Sequence, residues 1–283
     1  MLFKTRIVFA AMCSVSTLVH ALGVNTTGEL EKRAALSFNP KVEDIRKTAV
    51  QRYPQELGST NAERFKMGLP PMRPRFPTPS QDAPRGEPSG RPGKMITGSL
   101  HIHDAANGKS LGYVSNTLNS FGEYGLLTMS SRRRLKVKVD TTNSEGPLNI
   151  ATLNGPDADF PFLVGIDGYA NDVSDGLNVG KYNYAYLGAG SRTALGSCPV
   201  LGAQNSFTKD TGIKEGIESM IFVLEPAMLN LLPRWINEDG SKPTTYLGLF
   251  KDTLFFTGDK DVFEEVFEDT PTWVKILLEP DFS

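Results

Sequence analysis

Cysteine and histidine are scarce in this chain: Cys13 and Cys198 are its only thiols, and His20, His101 and His103 its only imidazoles, in 283 residues. Two distant cysteines make no disulfide framework, and with Cys13 inside an apolar amino-terminal run, Cys198 is expected to stand alone as a buried, inert thiol. After the first twenty residues no apolar run approaches the ~18 residues that a membrane span requires, so no membrane association is expected in the processed protein. Phosphate-cradling loops and dinucleotide fingerprints are missing as well. No cofactor, no metal and no nucleic-acid partner are therefore expected.

What the chain does carry is an export address. Lys4 and Arg6 precede an apolar run from Ile7 to Val19, and the short side chains of Val19 and Ala21 suit signal peptidase, which places a signal peptide over 1–21. The pair Lys32-Arg33 stands before Ala34 as a junction for a kexin-type protease, so 22–33 reads as a propeptide and the mature chain as starting at Ala34. The sequon Asn25-Thr26-Thr27 lies within the discarded piece. A secreted, extracellular protein is expected.

Charge and pattern then divide the mature chain. Residues 34–94 hold 11 Lys+Arg against 6 Asp+Glu, whereas 95–283 hold 15 against 24. Asn39-Pro40 followed by Val42, Ile45, Ala49 and Tyr53 predicts a short amphipathic helix, and the capping box Thr60-Asn61-Ala62-Glu63 a second, giving a helical leader over 34–68. Residues 69–94, dense in Pro, Arg, Ser and Gly, read as a disordered linker. From 95 to 283 the apolar positions alternate with period two between turn residues, which predicts an all-β, antiparallel β-sandwich of jelly-roll type. The turn Asn107-Gly108 predicts a hairpin at its start, and further strands are expected near 126–129, 135–139, 148–152, 182–187, 220–224, 246–250, 254–257 and 273–278. The nearly continuous apolar runs at 220–224 and 274–278 read as central strands. One helix is expected near the end, with Asp261 and Glu264 as its capping pair.

Several strings have the look of sites. Gly108-Lys109-Ser110-Leu111-Gly112 matches the nucleophile elbow GxSxG, but no histidine follows it, so it reads as a hairpin turn. His101 and His103 share a strand face without a third ligand at metal-site spacing and read as solvated. The aspartates from Asp157 to Asp175 fit no EF-hand and read as a polar loop. Arg132-Arg133-Arg134 reads as a turn feeding a half-exposed strand. Tyr182, Tyr184 and Tyr186 alternate along one strand and form a candidate platform on which sugar rings would stack; cross-strand stabilisation is the competing account.

The combination of Thr60-Asn61-Ala62-Glu63-Arg64-Phe65, Gly68-Leu69-Pro70-Pro71, Gly112-Tyr113-Val114-Ser115 and Asn119-Ser120-Phe121-Gly122 resembles a family of secreted proteins of mushroom-forming basidiomycete fungi. Asn154-Gly155-Pro156-Asp157, Asn205-Ser206-Phe207-Thr208, Trp235-Ile236-Asn237-Glu238-Asp239-Gly240-Ser241 and Thr257-Gly258-Asp259 extend the likeness. The resemblance implies export, a proline-rich segment and a β-rich body, and brings no activity with it. The reading from residues is a kexin-processed extracellular protein without enzymatic activity, a β-sandwich that binds polysaccharide or associates with the cell wall. Its alternative is a metal-free carbohydrate-active enzyme working through an Asp/Glu pair.

Overall fold

The computed structural model describes residues 36–41, 45, 95–141, 146–172, 175–267 and 269–281. The propeptide, the capping box at Thr60 and the linker lie outside these residues. So does the helix expected after Asn39-Pro40, except that the Ile45 amide donates to Lys41 O at 3.1 Å.

The described body is mostly β. Its strands are β1 (Met95–Asp104), β2 (Ser110–Val114), β3 (Leu127–Thr128), β4 (Lys136–Asp140), β5 (Ile150–Thr152), β6 (Phe162–Asp167), β7 (Tyr184–Gly190), β8 (Ile217–Glu218), β9 (Phe222–Glu225), β10 (Asn230–Pro233), β11 (Tyr246–Phe250), β12 (Thr253–Thr257) and β13 (Thr272–Pro280). Two helices, α1 (Ser206–Thr211) and α2 (Lys260–Phe267), accompany them. No helix of the described residues is long and apolar enough to cross a membrane.

The expected sandwich is corrected to a barrel. Strands β1, β4, β5, β6, β7, β12, β11 and β13 pair antiparallel in that order, and β13 pairs back onto β1 from Gly98–Pro280 to Asp104–Val274, which closes an eight-stranded ring. Alternation is the same for a sandwich face and a barrel wall, so period alone does not choose between them. The choice lies in the register of β1. Its first half pairs with β4 (Met95–Asp140 to Ser99–Lys136), while its second half carries β2 on that side and β13 on the other. Gly98 permits the crossing, because a Cβ there would come within 2.2 Å of Glu279 O.

Parity along the strands creates two cores. Leu100 and Ile102 of β1, Val137 and Val139 of β4, Ala185 and Leu187 of β7, Leu254 and Phe256 of β12, and Val274 and Ile276 of β13 fill the ring. The opposite parity of β6, β7 and β12, namely Val164, Ile166, Tyr184, Tyr186 and Phe255, forms an outer core under Phe207 of α1 and Phe263, Val266 and Phe267 of α2. Phe38 belongs to this outer core, so residues 36–41 of the leader are built into the body.

Smaller expectations also change. β6 was not foreseen, since Pro161 and the flanking aspartates mark a loop. β9, expected as central, ends the path of strands beside β10. The α2 cap is Asp259, whose Oδ1 accepts from the amides of Asp261 and Val262. Glu264 instead accepts from Trp273 Nε1 at 2.7 Å. Cys198 is exposed rather than buried. The hairpin at Asn107-Gly108 and the turn at Ser131–Arg133 stand where expected.

Candidate functional site

A cleft of about 660 Å³ opens where β6 ends. Asp167, the last residue of β6, lies on it with Tyr169, Trp235 and Glu238. Asparagines fix its rim. Asn171 donates to Tyr184 O and accepts from Tyr184 N, at 2.8 and 2.9 Å. Asn183 holds the backbone of Asp172 in the same two-point fashion. Asn237 Oδ1 accepts from Leu177 N at 2.8 Å, while its Nδ2 donates to Asn178 and Ser241, so loops from distant parts of the chain are tied together.

These amides are used up in holding the rim, and the carboxylates are what remain for chemistry. Burial first, and the Glu238 charge second, push the Asp167 carboxyl up to about 7. No hydrogen bond opposes that rise among the described residues. Behind it, Glu218 of β8 is pushed up to about 9 by burial, against the Ile236 amide that donates to its Oε1 at 3.2 Å, and with a further upward push from Asp167. Both acids favour the protonated form at mildly acidic pH. The sequence showed aspartates around this place, but not the desolvation that singles out Asp167. Several residues gathered around it, among them Gly216, Trp235 and Glu238, are distant in the chain.

The tyrosine ladder has a different fate from the one its spacing suggested. Tyr184 and Tyr186 are fully buried and Tyr182 is half-buried. They form no open platform, because their strand face is roofed by α1, α2 and the chain around Phe38. The Phe38 ring stacks on Tyr184 (4.6 Å, 23°) and meets Tyr186, Phe250, Phe255, Phe263 and Phe267 edge-on at 4.9 to 5.9 Å. Both phenols donate to Phe38 O at 2.5 Å, which occupies its two lone pairs, and they accept from the amides of Ala170 and Tyr169. Asn39 Nδ2 then donates to Glu123 Oε2 at 3.1 Å.

Glu123 is wholly buried. Its Oε2 takes three donors, from Asn39, Asn119 (2.8 Å) and Thr253 (2.7 Å), while its Oε1 has none. Burial pushes this carboxyl up to about 7 in spite of those hydrogen bonds. The loop that carries it turns at Gly122 (φ 81°), where a Cβ would strike Ser206 O.

Elsewhere on the outer face of the barrel wall, on β1, the two histidines are not merely solvated. His101 Nε2 lies 2.7 Å from Ser110 Oγ and its Nδ1 lies 3.2 Å from Glu279 Oε2. Its ring stacks on Tyr113 (4.1 Å, 12°), which in turn lies under the Arg134 guanidinium. Burial, then the neighbouring His103, lowers the His101 pKa, which favours the neutral ring. A histidine upstream of the serine thus reaches it across the β1–β2 pair, which chain order alone did not reveal. Ser110 is exposed on a strand rather than held on a strained elbow; the left-handed residues nearby are Gly108 and Gly112. Among the described residues no group of three or more His, Cys, Asp or Glu is placed to hold a metal ion.

Comparison with family models, with curated proteins and with solved structures gives no match for this chain. The candidate sites therefore stand on geometry alone.

Proposed function

We propose that this is a secreted, kexin-processed, carbohydrate-active protein whose acidic cleft binds a polysaccharide chain and hydrolyses its glycosidic bonds. The observation that carries the reading is Asp167, a carboxyl that opens on a cleft, lacks a hydrogen-bonding partner among the described residues and is held near neutral pH by burial. A protonated carboxyl in such a place serves as a general acid. Asp167 gives its proton to the glycosidic oxygen as the bond to the anomeric carbon breaks. Water adds to that carbon and its proton passes to the Glu238 carboxylate; exchange with solvent then restores both groups. Tyr169 is the partly exposed aromatic side chain of the lining, Trp235 being buried against Phe256, and the locked asparagines hold the cleft's shape.

The test uses the secreted chain, with an intact mass showing that it begins at Ala34. Retention on insoluble chitin, β-glucan and mannan and release of reducing ends are measured for wild type and Asp167→Asn. The variant is expected to remain bound and to lose turnover by roughly 10²-fold or more. A wild type that neither binds nor cleaves any polymer, or a fully active variant, overturns the proposal.

A second reading is favoured by one observation, the chain Ser110–His101–Glu279, which has the connectivity of a nucleophile, a base and an orienting acid. An acyl hydrolase of this kind requires Ser110 to be labelled by a fluorophosphonate and the labelling to vanish in His101→Gln.

A further inference from the structure

The place held by Phe38 and Asn39 has the parts of a ligand site. It offers a well of aromatic rings, two phenol donors converging on one main-chain carbonyl and a buried carboxyl opposite a side-chain amide. Without Phe38, the Tyr184 and Tyr186 hydroxyls would face the well with no carbonyl to receive them. Such an arrangement reads one aromatic side chain, its carbonyl and the residue after it, and these are features of an extended peptide. Ser37 Oγ, bonded to Asn39 O at 2.6 Å, and buried Pro40 shape the segment that now fills it.

We propose that this slot is a peptide-binding site for an aromatic–asparagine sequence, with the protein's own Leu36–Lys41 arm as its displaceable resident ligand. Asn39 Oδ1 and Glu123 Oε1 are among seven buried side-chain atoms of the described residues that lack partners, and these two belong to the groups already joined through Nδ2 and Oε2. A carboxamide and a carboxyl that share one hydrogen bond close a second in the same ring when the acid is protonated, and that single proton on Oε1 satisfies both orphans. Recognition of the asparagine is therefore proton-linked.

The groups around Glu123 pull in opposite directions, and burial, which favours the protonated form, is the largest effect. Asp252, in the β11–β12 turn, disfavours its ionisation. Asn39, Asn119 and Thr253 oppose it by donating to Oε2 and leave Oε1 without a donor, while β7 presents the neutral phenols of Tyr184 and Tyr186. The arm lies just after the Lys32-Arg33 junction, so processing there would leave Phe38 as the fifth residue of the mature chain.

The experiment measures fluorescence anisotropy of a peptide spanning Ala34 to Lys41, added to the mature chain. In Phe38→Ala the aromatic well is vacated and the arm keeps only its residue-38 carbonyl and Asn39, so it competes weakly and the peptide is expected to bind at least tenfold more tightly than to wild type. A peptide carrying Asn39→Leu is expected to bind at least tenfold more weakly than the native peptide at pH 5.5. The native peptide is expected to weaken by a similar factor between pH 5.5 and 8.5, and to lose most of that dependence in a chain that also carries Glu123→Gln. Should Phe38→Ala fail to fold, Phe38→Leu, which keeps an apolar group but forfeits ring stacking, is titrated in its place. Equal affinity for wild type and the vacated variant, or no saturable binding to a folded variant, overturns the proposal.

Discussion

Replacing Glu123 by glutamine should flatten part of the pH dependence of folding stability, in a window that the structure defines. The carboxyl has a value of 4.5 when free and about 7 in the fold, where burial disfavours its charge. A group whose folded value is raised contributes its full stability below the free value, and that contribution is lost as pH rises through the folded value. For Glu123 the loss runs from about pH 4.5 to about pH 7 and then levels off. At ~1.4 kcal/mol per pH unit, the whole interval corresponds to roughly 3 kcal/mol. Glutamine keeps the acceptor that Asn39, Asn119 and Thr253 address at Oε2 and places a permanent donor where protonated Oε1 would stand. The variant should therefore behave at every pH as wild type does in acid. Urea denaturation of both proteins at pH 4.5, 5.5, 6.5 and 7.5 gives the difference directly. Wild type should fall behind the variant progressively across this range, by roughly 3 kcal/mol at the upper end. A difference that does not change with pH would refute the assignment of the proton to Glu123, and a difference that grows toward acid would reverse its sign.

Two further outcomes test the neighbouring features. Glu218→Gln should stabilise the protein at pH 8 by on the order of 5 kcal/mol and leave it nearly unchanged at pH 4, because the buried acid is raised to about 9 while its Oε1 acceptor for the Ile236 amide survives in glutamine; thermal unfolding at the two pH values shows it. Phe38→Ala should cost about 3–5 kcal/mol, since it empties a ring site lined by six aromatic side chains, and chemical denaturation of the mature chain measures this.

Much of the strand content was legible because it is local. The hairpin at Asn107-Gly108, the alternation of Val137 and Val139 with Lys136 and Lys138, and the amphipathic stripe of Phe263, Val266 and Phe267 all announce themselves within a few residues. Closure of the ring was not legible, because it depends on β1 pairing with β13 from far along the chain, and alternation carries no record of its partner. The tyrosines show the same division. Their spacing put them on one strand face, but not in the open, because the Phe38 that covers that face stands 146 residues before Tyr184. Ser110 was read correctly as part of a hairpin, but the same hairpin brings it beside His101. Asp167 hid among other aspartates because desolvation is a property of packing and leaves no mark on composition.

The seam between β1 and β13 sets a condition on how the molecule is made. Its two sides, Met95–Asp104 and Thr272–Pro280, emerge from the ribosome about ten to thirty-five seconds apart at ordinary rates of synthesis. Throughout that interval the strand that starts the wall has an unsatisfied edge, and no cylinder can exist until the last stave arrives. Until then the nascent chain is an open, sticky ribbon, and mutations in β13 should show themselves first as failures of folding and as aggregation.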